Sequence, residues 1–219
     1  MSMAPGPSKS GSGTRVPAAL KRAQPNTWGG AALVMSGVLA LLWVIVVINA
    51  FDGHHLDRFG LRARSVPGLE GIVTMPFLHA SAAHLLANMF PFLIIGTMVL
   101  VGQVRRFLIA TAIIVLGGGL ITWLIGPPGI VVGASGLIFG WLGYLLARAY
   151  FARRVGWILA AAFALFMFGG LFSGLVPTVR SDVAWQAHVA GFAAGVGAGW
   201  LLHPRRGSTR RPPTIAGRP

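Results

Sequence analysis

Among the polar side chains within the apolar runs of this chain, four could do chemistry there: His84, Asn88, Ser135 and His188. Ser135 lies in Gly133-Ala134-Ser135-Gly136, shortly after Gly126-Pro127-Pro128-Gly129. The prolines stop one helix and the glycines permit a tight turn, so Ser135 is predicted near the start of the next helix with free backbone N–H groups around it. Such groups can stabilise an oxyanion, and a hydroxyl beside an imidazole is a base-activated nucleophile.

Helical arithmetic puts a serine and a histidine at one level. Arg148 stands 13 residues beyond Ser135, roughly 20 Å at the helical rise. Leu202 and Arg205 stand 14 and 17 residues beyond His188, roughly 21 to 25 Å. In a hydrocarbon core of about 30 Å, the hydroxyl is predicted roughly 10 Å below one surface. Gly136, Gly140 and Gly143 follow Ser135, and Gly191, Gly195 and Gly199 follow His188, which lets the two helices approach closely. His84 and Asn88, four apart, share a helix face, and both can donate to a developing oxyanion. Each residue also has a plainer reading. A membrane serine usually bonds a backbone carbonyl, and His84 with Asn88 can form a structural interhelical hydrogen bond.

The elements that must position these groups are membrane spans. The 219 residues are 55% hydrophobic and 10% charged, too apolar for an ordinary soluble domain. Apolar runs near 31–50, 83–101, 107–126, 135–151, 156–175 and 184–202 predict six helices, each near the length a bilayer requires. The first run exceeds the apolar core of a signal peptide and is read as a retained span. Residues 1–26 and 204–219, rich in small and basic residues, are predicted as disordered cytoplasmic tails around a six-span unit at 27–203. With the N-terminus inside, 14 of 18 basic residues fall inside, while Arg58, Arg62, Arg64, Arg180 and all four acidic residues fall outside. This partition supports an even number of spans with both ends cytoplasmic. It also explains the net charge of +14 without nucleic acid.

The absences are informative. No acidic residue falls within an apolar run, which removes paired intramembrane aspartates, a zinc-binding His-Glu-x-x-His helix and a carboxylate proton relay. Cysteine is absent, so thiolate chemistry and cysteine metal sites are excluded. No metal or cofactor is expected.

With these residues in this order, the chain resembles the rhomboid proteases. Gly133-Ala134-Ser135-Gly136 matches the family's Gly-x-Ser-Gly, His84 with Asn88 its His-x-x-x-Asn, and Ala187-His188-Val189-Ala190-Gly191 its Ala-His-x-x-Gly, on spans four, two and six. The resemblance covers roughly 31–202. It implies an all-α, six-transmembrane-helix bundle in a bacterial cell membrane. It also implies a Ser135–His188 dyad without an acidic third member, and an oxyanion hole from His84, Asn88 and the Ser135 N–H. The expected activity is cleavage of transmembrane protein substrates near their outer ends, in contact with membrane lipids. His79 falls where the family often has a supporting histidine, although loop structure is the role expected for it. His54 and His55 are expected to be solvated and His203 to mark the inner interface. One departure is Glu70-Gly71, where many members carry Trp-Arg in the first outer loop. A catalytically silent, client-binding relative would usually lack the serine or histidine. A transporter would predict matching broken spans in both halves, and no counterpart of Gly-x-Ser-Gly follows the first span.

Overall fold

A computed structural model describes residues 27–101, 103–170, 175 and 184–203. Among the described residues six helices lie within or close to the predicted runs: α1 (Trp28–Phe51), α3 (Ala82–Leu100), α4 (Val104–Ile125), α5 (Ser135–Ala152), α6 (Val155–Phe168, shorter than its predicted run) and α7 (Trp185–Leu201). A one-turn helix, α2 (Gly71–Thr74), sits in the long loop after α1. The chain folds as an all-α membrane bundle. Both predicted tails, 1–26 and 204–219, and residues 171–174 of the fifth apolar run lie outside the described residues.

The helix ends follow local chemistry. Thr27 caps α1, its hydroxyl accepting from Gly30 N–H at 3.1 Å, and Ser81 caps α3 by accepting from His84 N–H at 3.1 Å. α4 stops after Gly126 N–H donates to Thr122 O, where Pro127 and Pro128 deny it further donors. Inside α4, residues Ile114–Gly118 widen into a π-helical turn, a feature that often marks functional sites. Here the wide turn presents Gly118 to the Gly191 backbone, where an added Cβ would stand 3.1 Å from Gly191 Cα.

Lipid exposure divides the helices. α1, α3 and α4 are long and apolar enough to cross a membrane, and α6 is a shorter apolar helix. α5 and α7 form the centre, where length and hydropathy matter less than a small-residue surface. A Cβ on Gly191 would overlap the Gly136 carbonyl oxygen, and one on Gly195 would overlap that of Gly140. The two backbones therefore touch, as the glycine spacing predicted. Trp141, Tyr144, Leu142 and Leu145 of α5 are fully buried beneath the surrounding helices.

The loop between α1 and α3 is structured throughout. Asn49, buried at the end of α1, donates to Asp57 Oδ1 and accepts from Leu56 N–H, both at 2.9 Å, folding the loop back on the helix. Strand β1 (Leu61–Arg62) pairs antiparallel with β2 (Ile130–Val131), in the register Leu61↔Val131 and Arg62↔Ile130. Arg64 donates through Nη1 to the Leu124 and Gly126 carbonyls at 3.1 Å each, capping the end of α4. Trp123 Nε1 donates to Ser65 O at 2.8 Å. Gly71 packs directly on the Leu61 backbone, where any side chain would collide. The Glu70-Gly71 departure therefore has a local cause: this loop folds tightly enough that the second position must be glycine.

Candidate active site

Ser135 begins α5 and His188 lies in the first turn of α7. Their side chains meet, with His188 Nε2 2.8 Å from Ser135 Oγ. The depth arithmetic and the glycine seam thus bring together the two residues the sequence singled out. His188 is 9% exposed, so its ring is held in the bundle while the serine faces a cavity.

The loop before the nucleophile is tied down at consecutive residues. Gly133 N–H donates to Met75 O at 3.0 Å, and Ala134 N–H donates to His79 Nε2 at 3.3 Å. Both partners belong to the α1–α3 loop, which β1 and β2 also join to this segment. His79 is 1% exposed and has the loop-structure role expected of it: its ring holds the backbone next to Ser135. Burial first, then the neighbouring His84, lowers its pKa from 6.5 to about 4. A neutral ring keeps Nε2 available as an acceptor.

Gly133 adopts φ +125°, a conformation that L side chains rarely take. A Cβ there would stand 2.8 Å from His84 Nε2 and 3.8 Å from Ser135 Oγ. The glycine therefore leaves room for the His84 ring beside the turn that leads into Ser135. His84 also packs edge-on against His79, ring centres 5.1 Å apart. One turn along α3, Asn88 is 7% exposed and its Nδ2 has no hydrogen-bond partner. Buried amides are normally paired, so a vacant donor lining the same cavity is suited to an incoming oxygen. Pro91, with no N–H to offer the Ala87 carbonyl, follows at once on this helix.

The cavity holds about 610 Å³ and is lined by Met75, His84, Asn88, Ser135, Phe139 and His188 among others. Phe139 escaped the sequence reading. It stacks on His188, ring centres 4.4 Å apart and 22° between planes, fixing the imidazole that faces Ser135. A signal existed, since Phe139 is four residues after Ser135 and so on its helix face. Asn49 was also missed; it lies inside the first apolar run but serves the loop instead of the cavity. Of the other histidines, His54 and His55 are exposed beside Asp57 and Asp52, and His203 packs near Phe151 at 5.7 Å.

Such an arrangement suits nucleophilic acyl transfer: a hydroxyl in contact with an imidazole, an aromatic ring stacked on that imidazole, and side-chain donors lining the same cavity. Comparison with known proteins agrees with the fold. The profile described as Rhomboid domain matches residues 68–205. An uncharacterized protein of Mycobacterium tuberculosis (strain ATCC 25618 / H37Rv) is 40% identical over 197 residues, 86% of this chain and 81% of that one. An uncharacterized protein of Mycobacterium leprae (strain TN) is 37% identical over 191 residues, 84% and 76% of the two chains. RHOMBOID-like protein 1 of Arabidopsis thaliana is 33% identical over 145 residues, 62% of this chain and 36% of that one. With more than half of its length matched by the profile, the chain belongs to the rhomboid family.

Proposed function

We propose that the protein is an intramembrane serine endopeptidase that cleaves transmembrane protein substrates near the outer membrane face. The observation that carries this reading is the 2.8 Å approach of His188 Nε2 to Ser135 Oγ inside the bundle. Ser135 Oγ attacks the scissile carbonyl carbon while His188 takes its proton. The oxygen of the tetrahedral intermediate accepts hydrogen bonds from Asn88 Nδ2, His84 and the Ser135 N–H. Its collapse breaks the peptide C–N bond, and His188 returns the proton to the leaving amine. Water, deprotonated by His188, then attacks the acyl-enzyme, and Ser135 recovers its proton as the carboxylate product leaves. Phe139 keeps the imidazole in plane for each transfer.

The substrate must present an unwound segment, because an intact helix occupies its carbonyls in backbone hydrogen bonds. Gly or Pro near the cleaved bond meets that need. The charge partition supports cytoplasmic termini, and the mycobacterial relatives support a bacterial cell membrane.

The test is cleavage of a single-span substrate by purified protein in liposomes, comparing wild type with Ser135→Ala and His188→Ala. Loss in both variants, with melting unchanged, is expected. Activity surviving Ser135→Ala would sink the mechanism, and an inert wild type across several substrates would favour a client-binding role.

A further inference from the structure

At the end of the bundle away from Ser135, a second cavity of about 650 Å³ opens sideways between three helices. Its walls include Trp28, Ala32 and Ser36 of α1, Leu93 and Met98 of α3, and Leu159 and Phe163 of α6. These walls are apolar, and Trp28, Ala32, Leu159 and Phe163 are exposed in the isolated chain. Trp28 to Ser36 spans roughly 12 Å of helix, close to the depth of one leaflet in a core of about 30 Å. The groove ends well before the dyad level. A spanning helix would need the whole thickness, so the groove's length fits one acyl chain from one leaflet.

Charge at its mouth selects the headgroup. Arg153 and Arg154 are exposed and immediately precede α6, within three residues of Gly156. Arg105, Arg106 and Arg148 stand at the same end, Arg148 lying over the Trp157 ring at 4.9 Å. Its Nε and Nη1 are buried without partners. Among the described residues every acidic side chain lies in the loop at the opposite end of the bundle. A basic rim without counter-charge above an apolar slot one leaflet deep calls for an amphiphile with an anionic head.

We infer that this groove binds an anionic phospholipid, its acyl chain between α1, α3 and α6 and its phosphate at Arg153 and Arg154. Bound there, the lipid bridges the first, second and fifth spans, and its binding is independent of the proteolytic reading.

The experiment titrates the purified full chain in detergent with phosphatidylglycerol, with phosphatidylcholine of the same acyl chains, and with inorganic phosphate. It follows the melting temperature and the lipid retained in native mass spectrometry. Phosphatidylglycerol is expected to raise the melting temperature and remain as a single adduct, with phosphatidylcholine at least about tenfold weaker and phosphate without effect. Replacing both arginines, Arg153→Asn to tolerate its positive φ with Arg154→Gln, should weaken phosphatidylglycerol by about tenfold or more. Ala32→Phe, which fills the slot from an exposed position, should abolish the adduct while leaving the lipid-free melt unchanged. Equal retention of both lipids, a phosphate effect matching that of the lipid, or undiminished retention in both variants would overturn the site.

Discussion

Gly191→Ala is the sharpest test of whether the α5–α7 backbone contact sets the catalytic geometry. The new methyl would occupy the place of the Gly136 carbonyl oxygen. Carbon and carbonyl oxygen tolerate about 3.3 to 3.6 Å at closest, so α7 must retreat from α5 by on the order of 1 Å. Backbone cannot rotate away as a side chain does. His188 sits three residues before Gly191 and Ser135 one before Gly136, so the retreat falls directly on the 2.8 Å contact. A misplacement of about 1 Å costs on the order of 100-fold in rate, or about 2.7 kcal/mol of barrier. The overpacking itself costs about 1 to 3 kcal/mol of stability. The assay measures kcat/KM for a model transmembrane substrate beside the melting temperature. Gly195→Ala serves as a comparison, since it meets the Gly140 oxygen a turn further from the dyad; it should destabilise similarly and lose less activity. Gly197→Ala, with nothing within 4 Å, should leave both readings intact. Full activity in Gly191→Ala would refute the argument, as would equal rate losses in Gly191→Ala and Gly195→Ala.

Two further outcomes follow from the same geometry. Asn88→Ala should lower kcat by about 100-fold to 1000-fold with little change in KM, because Nδ2 has no partner to lose until an oxyanion forms; a KM effect alone would reassign Asn88 to substrate binding. His79 favours its neutral form in the fold, with a pKa of about 4 against 6.5 unfolded. Its stabilisation is therefore complete above pH 6.5 and is lost as the pH falls toward 4, about 3 kcal/mol in all at roughly 1.4 kcal/mol per unit. Melting curves from pH 7.5 to 4.5 should show that slope in the wild type and a shallower one in His79→Gln; parallel curves would remove His79 from the account.

The candidate site residues were legible because membrane placement makes polar groups conspicuous. Ser135, His188, His84 and Asn88 stand out against apolar neighbours, and helical rise alone put the first two at one depth. Helix number and order were legible for the same reason. What escaped was whatever depends on two-residue events or on contacts distant in sequence. β1 and β2 contain two residues each, too few for any alternation to register. The π-helical turn at Ile114–Gly118 carries no periodic signature, only a run of glycines that also suits ordinary packing. Phe139 read as one more apolar residue, since its place on the Ser135 face of the helix does not say that it stacks on the imidazole. His79 was visible, but its hold on Ala134 joins positions 55 residues apart.

On the proposed reading, the placement of Ser135 and His188 on separate helices also bears on biosynthesis. Ser135 opens α5 while its imidazole partner arrives on α7, 53 residues later. At about 5 to 20 residues per second, ribosomal synthesis leaves the nucleophile without its base for roughly 3 to 10 s. If Ser135 is the nucleophile, a nascent chain that already displays it to the bilayer is unarmed until α7 is made. Arming waits for the closing of the Gly136–Gly191 seam, so completion of the last helix doubles as a safety catch.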